Sequence, residues 1–181
     1  HGVRVGRGMT LTATPAASGY PEIWLLGSSD YSARLAARLG IRYSYAGHFG
    51  QFDPAAVFAL YRDGFQPSED LPEPHAMLCT SVLAGPTEEE AHYLAGPSTI
   101  NWVNIRRDTR EALPSPEESK RRIDAMGGVD FVGTKVVGTP ERVRARLDAM
   151  VADCEVQELM VLNTAYDVET RIDTLAAVLD S

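Results

Sequence analysis

Apolar and polar positions alternate along this chain in a repeating order: a short apolar run, a polar turn, then a helical stripe. Residues 23–26 (Ile-Trp-Leu-Leu) form an uninterrupted apolar run, as expected of a parallel strand covered on both faces. Gly27-Ser28-Ser29 follows as a tight turn, with Ser28 or Ser29 as the helix N-cap. Ala33, Ala36 and Ala37 then fall on one helical face, and Gly40 is placed to end the helix. Residues 41–46 predict a second strand, with Tyr43 and Tyr45 alternating against Arg42 and Ser44. Asp53-Pro54 opens a helix that presents Val57, Leu60 and Tyr61, and Arg62 beside it reads as an ion-pairing residue. Residues 76–84 predict the longest strand, and Thr87 with Glu90 makes a capping box after it. Thr139-Pro140 starts a helix whose Val143, Leu147, Met150 and Val151 form a buried face. Residues 158–163 predict the last strand. Asp167 caps a final helix whose Val168, Ile172, Leu175 and Leu179 trace one stripe, read as core.

This alternation predicts an α/β fold of four βα units in residues 21–181. Between the third strand and the Thr139 helix the periodicity weakens. Pro97, Pro114, Pro116 and Gly127-Gly128 interrupt it, and Ile100 and Trp102 place one packed helix there. Residues 1–20, rich in Gly, Thr, Ala and Ser, read as an extended leader or truncation remnant, with a short strand at 10–13 and Met9 as a candidate internal start.

Composition narrows the function. The chain has 181 residues, enough for one domain with its own core. Its net charge of −8 speaks against nucleic acid as a partner, which calls for a basic face. No apolar run approaches the roughly 20 residues of a membrane span, and no signal peptide is visible. Cys79 and Cys154 lie far apart and read as buried thiols in a reducing, cytoplasmic setting. The four histidines (His1, His48, His75, His92) lack metal-ligand spacing, so no metal site is expected. Neither a dinucleotide fingerprint nor a P-loop is present.

The candidate chemistry sits in the first turn. A helix N-terminus leaves backbone N–H groups without partners and carries partial positive charge. Ser28, Ser29 and Ser32 cluster there, and on spacing alone they either hold a phosphate or only cap the helix. His48 lies in the loop after the second strand. It is either a polar contact and proton shuttle or a loop histidine bonded to backbone. The basic residues Arg106, Arg107, Arg110 and 120–122 read as a solvated helix face in preference to an anion site.

The segment PEIWLLGSSDYSARLAARLGIRYSYAGHF, followed by ALYRDGFQPS and later by GTPE, resembles the luciferase-like flavin-dependent monooxygenases, in their FMN-type branch. The likeness runs from about Pro21 to Leu179. It implies the C-terminal half of a (β/α)8 barrel, since a complete barrel needs about 250 residues. It also implies a variable insertion at about 96–135 and a flavin phosphate gripped by Gly27, Ser28, Ser29 and Ser32. FMN is the implied cofactor, with deazaflavin F420 as the alternative. Reduced FMN and O2 would act on a small organic substrate, with His48 as the catalytic candidate and Asn163 and Tyr166 lining the substrate pocket. The family's remaining catalytic residues come largely from the first half of the barrel. The implied partners are therefore a second copy in a homo-oligomer or a complementing N-terminal half, and a flavin reductase; a non-catalytic flavin-binding or assembly role is the alternative.

Overall fold

A computed structural model describes residues 3–5, 9–12, 14, 19, 21–129 and 134–179. Strands β1 (Val3–Val5) and β2 (Met9–Leu11) form an antiparallel pair, Val3 opposite Leu11. Of the expected leader, residues 3–5 and 9–11 are thus paired strands; of the expected strand at 10–13, Ala13 lies outside the described residues.

The body repeats strand and helix. It runs β3 (Trp24–Gly27), α1 (Asp30–Leu39), β4 (Arg42–Ala46), α2 (Pro54–Asp63), β5 (Ala76–Ala84) and α3 (Glu88–Leu94). It continues through α4 (Gly96–Arg106), α5 (Pro116–Ala125), β6 (Lys135–Gly138), α6 (Pro140–Cys154), β7 (Glu158–Leu162) and α7 (Val168–Leu179). All strand pairs in this second sheet are parallel: β3 with β4, β4 with β5, and β5 with both β6 and β7. Four strands thus lie side by side in chain order (β3, β4, β5, β7), the arrangement of half of a (β/α)8 barrel. The short β6 extends the line of β4. Thr134 donates to Gly47 O at 2.8 Å, so β6 takes over the edge of β5 where β4 ends.

The sequence signals explain these elements. Asp53 Oδ1 accepts from Ala55 N, and Thr87 Oγ1 from Glu90 N, each as an N-cap. Gly40 adopts φ 61°, the left-handed conformation that closes α1, and donates its N–H back into the last turn. Ala33, Ala36 and Ala37 are fully buried, so α1 lies close against the sheet, where Tyr43, Tyr45, Phe58, Tyr61, Leu78 and Val143 form the centre of the core. Arg62 is structural, as expected: its guanidinium donates to Cys154 O at 2.7 Å and lies 3.7 Å from Glu155.

Four expectations need correction. The run at 23–26 is not covered on both faces: Ile23 is 64 % and Leu26 65 % exposed. Among the described residues β3 pairs only with β4 and β7 only with β5, and Met160 and Leu162 of β7 are exposed as well, while Ser44, Ala46 and Cys79 between them are buried. The α7 stripe is not core. Val168, Ile172, Leu175 and Leu179 are all exposed, while Thr174 is the buried residue and Ala177 and Val178 pack against the core. The described residues of 96–132 hold two helices, α4 and α5, where the sequence pattern placed one packed helix. Strand β6 was not foreseen, because Lys-Val-Val-Gly is too short to show a period.

Candidate functional site

The C-terminal ends of parallel strands are where βα loops build sites in this architecture. The β3–α1 turn stands at that end. Ser29 is the N-cap of α1 with extended backbone, and it makes no side-chain capping bond, so the first-turn N–H groups keep no intrahelical or capping acceptor. Gly27 is required here by contact. A Cβ at this position would overlap Ser32 Oγ and Cβ, so only glycine lets the buried Ser32 pack under the turn. Ser32 Oγ donates to Ser29 O at 2.7 Å and lies 3.2 Å from the Tyr43 hydroxyl, which itself donates towards Ser29 O at 3.4 Å. Ser32 therefore shapes the turn from beneath, while Ser28 and Ser29 are half-exposed on it. Tyr43 is a supporting residue that sequence reasoning read only as strand; desolvation pushes its hydroxyl up to about 12, against the lowering effect of the Ser32 bond.

Beyond this turn, three buried side-chain atoms among the described residues find no hydrogen-bond partner: His48 Nδ1, Thr134 Oγ1 and Asn163 Nδ2. His48 follows β4, Thr134 leads into β6 against Gly47, and Asn163 follows β7. All three lie at the same end of the sheet. Native proteins leave few such atoms unsatisfied, and clusters of them mark places where a polar group from outside the chain completes the bonding. Burial lowers the pKa of His48, so the imidazole is held neutral near pH 7. Its ring packs against Phe49 with centroids 4.2 Å apart.

His48 also lines a cavity of about 180 Å³ together with Ser81, Trp102, Lys135, Leu162 and Thr164. The expected pocket residues meet it unevenly. Asn163 sits between two lining residues, and its Oδ1 is taken by Ala165 N at 2.8 Å. Tyr166 is 49 % exposed and is not among the lining residues. Sequence reasoning missed Ser81, Trp102 and Lys135. The available signals were weak: a serine inside an apolar strand and a lone lysine opening Val-Val-Gly.

Residues 120–122 lie on α5 as expected of a helix face, whereas Arg107 and Arg110 follow the end of α4 and are not on a helix. Arg122 pairs with Glu118 at 2.8 Å and Glu111 at 2.5 Å, Lys120 pairs with Asp124 at 2.6 Å, and Arg121 with Glu118. Arg106 instead stacks over Trp102, 4.8 Å from the ring centroid. Cys79 and Cys154 are buried free thiols. Among the described residues no helix is long and apolar enough to cross a membrane.

Comparison with known proteins agrees with this architecture and defines its class. Residues 3–157 match the family model of the luciferase-like monooxygenases, and the chain belongs to that family. It is similar to YvbT of Bacillus subtilis (strain 168), itself uncharacterized, with 34 % identity over 163 residues, 87 % of this chain and 48 % of that protein. It is 31 % identical over 169 residues to a luciferase-like monooxygenase of Escherichia coli (strain K12), covering 90 % of this chain and 50 % of the relative. The chain thus spans about half the length of these curated relatives. Among solved structures, apo-MsnO8 superposes with a TM-score of 0.84 and 28 % identity, over 96 % of this chain and 54 % of that one. Two more distant structures share the fold alone: 3,6-diketocamphane monooxygenase in complex with FMN (TM-score 0.60, 16 % identity, 97 % of this chain and 55 % of that one) and an F420-dependent secondary alcohol dehydrogenase (0.61, 13 %, 99 % and 55 %).

Proposed function

We propose that this chain forms the phosphate-binding and substrate-facing half of a flavin-dependent monooxygenase that acts on a small organic molecule with reduced FMN and O2. One observation carries the reading: an N-terminal helix turn without a side-chain cap and three unsatisfied buried polar atoms converge at one end of a parallel sheet. Family membership supports it, and a structural neighbour's FMN complex supports the choice of cofactor.

The residues fit a flavin phosphate. The α1 N–H groups point the positive end of the helix dipole out of the turn, and Ser28 and Ser29 flank it with hydroxyls. When bound, the flavin supplies the electron transfer and oxygen chemistry, and the protein binds, orients and shields it. The neutral His48 imidazole is suited to accept a proton at Nδ1 beside the cavity. Asn163 Nδ2 offers a donor nearby. Gly27 and Ser32 bind through the shape of the turn that they enforce.

The outer edges of β3 and β7 among the described residues, with Ile23, Leu26, Met160 and Leu162 exposed, call for a second half, either an N-terminal half-barrel or a second copy. A flavin reductase would supply reduced FMN. The buried free thiols fit a cytoplasmic setting. The test is flavin fluorescence quenching by the chain and by a Ser28→Ala/Ser29→Ala variant. Saturable FMN binding that weakens about tenfold in the variant supports the turn as the phosphate site, and unchanged affinity removes it. Preference for F420 over FMN would reassign the cofactor.

A further inference from the structure

A tyrosine hydroxyl lies beneath the β3–α1 turn, in a place that packing alone does not require. Tyr43 of β4 is fully buried, its ring centroid 5.9 Å from that of Phe58 and 5.5 Å from that of Tyr61. A phenylalanine would fill the same space, and a hydroxyl taken out of water costs free energy unless it forms hydrogen bonds. Here it reaches three oxygens of the turn: Ser32 Oγ at 3.2 Å, Ser29 O at 3.4 Å and Gly27 O at 3.5 Å. Ser32 Oγ gives its own proton to Ser29 O at 2.7 Å, so between the two hydroxyls Tyr43 is the donor. Burial pushes the Tyr43 pKa up to about 12, so that proton stays in place at neutral pH.

The effect reaches the far side of the peptide plane. A trans peptide unit holds its C=O and N–H in opposite directions. Ser29 O is drawn inward by Ser32 Oγ, by the Tyr43 hydroxyl and by Ala33 N at 3.4 Å. The N–H of Asp30, in the same peptide unit, is thereby aimed outward at the start of α1, and the carbonyl is kept off the surface that an anion would meet.

We propose that Tyr43 is a positioning residue for the phosphate group: through Ser32 and Ser29 O its hydroxyl aims the Asp30 N–H, and so sets a preference for a phosphorylated flavin over an unphosphorylated one. The inference rests on the reading of the turn as a flavin-phosphate site and adds to it a side chain that never touches the ligand. Tyr45, two residues further along the same face of β4, is a matched control. It is equally buried, but its hydroxyl donates to Phe52 O at 3.0 Å, in the loop between β4 and α2.

The experiment measures the Kd of the full chain for FMN and for riboflavin by flavin fluorescence, in wild type, Tyr43→Phe and Tyr45→Phe, and compares the two affinities within each protein. The wild-type preference for FMN should fall roughly three- to tenfold in Tyr43→Phe, the range of one lost hydrogen bond, and should persist in Tyr45→Phe. A merely structural Tyr43 would weaken both flavins alike and leave their ratio unmoved, which overturns the proposal; so does an equal fall in Tyr45→Phe. Should Tyr43→Phe fail to fold, Ser32→Ala cuts the same hydrogen-bond chain one link further on and should lower the ratio in the same way, and an unchanged ratio there overturns the proposal too. A wild-type chain with no preference for FMN refutes the flavin-phosphate reading and this inference with it. A wild-type preference that Tyr43→Phe leaves intact refutes this inference alone.

Discussion

Gly27 illustrates how one residue fixes a site. Its missing Cβ makes room for Ser32, and Ser32 in turn fixes Ser29 O and meets Tyr43. Gly27→Ala should destabilise the chain by about 1–3 kcal/mol, the usual cost of overpacking, and Ser32→Ala should not rescue it because the Ser32 Cβ is itself in the way. Urea midpoints of the single and double variants check this. His48 makes a prediction in pH. Its folded-state pKa is lowered by burial, so the unfolded chain binds its proton first as pH falls. Its contribution to stability is complete above the ordinary histidine range and is lost as pH drops through it. The urea midpoint of wild type should therefore fall more steeply between pH 7.5 and 5 than that of His48→Gln; parallel slopes would remove His48 from the account. The turn was legible from sequence because all its parts lie within six residues. Lys135, Ser81 and Trp102 were not, because their cavity is assembled from β5, α4 and β6, and no local pattern links residues so far apart.

Among the elements, α7 is the instructive case. Its apolar stripe has the 3.6-residue spacing of a core face, yet it is exposed, and the helix is held instead through Thr174. Thr174 Oγ1 accepts from Ala84 N at 3.1 Å and donates towards Ala84 O at 3.4 Å, tying the helix to the end of β5. Thr174→Val preserves the shape and leaves both backbone groups without that partner, which should cost about 1–3 kcal/mol. Thermal or urea unfolding reads it. Periodicity states that a face is apolar and says nothing of what covers it. By contrast β5 was legible to both bounds, since a run that is apolar but for Thr80 and Ser81 lies between Pro74 and Gly85-Pro86.

At the scale of the molecule, exposed apolar residues collect on the two flanks. Ile23, Leu26, Tyr31 and Leu39 mark the β3–α1 side, and Met160, Leu162, Ile172 and Leu175 mark the β7–α7 side. Replacing Ile172 and Leu175 with lysine should leave the stability read from urea unfolding within about 0.5 kcal/mol of wild type, as for other exposed positions. A large loss of stability would show that the stripe is buried after all. Half-barrel order was legible in the strand–helix alternation, whereas the exposure of the outer strands was not, because apolar strand residues look alike whether or not a neighbour covers them.

The flavin phosphate is proposed to sit on the β3–α1 turn, whose first-turn N–H groups would contact it. Amide chemical shifts of Asp30, Tyr31 and Ser32, followed by NMR during titration with FMN and then with riboflavin, test it most directly. Saturable shifts at these three amides with FMN, and little movement with riboflavin, which lacks the phosphate, are expected. Equal shifts with both, or FMN shifts confined to other parts of the chain, would contradict it.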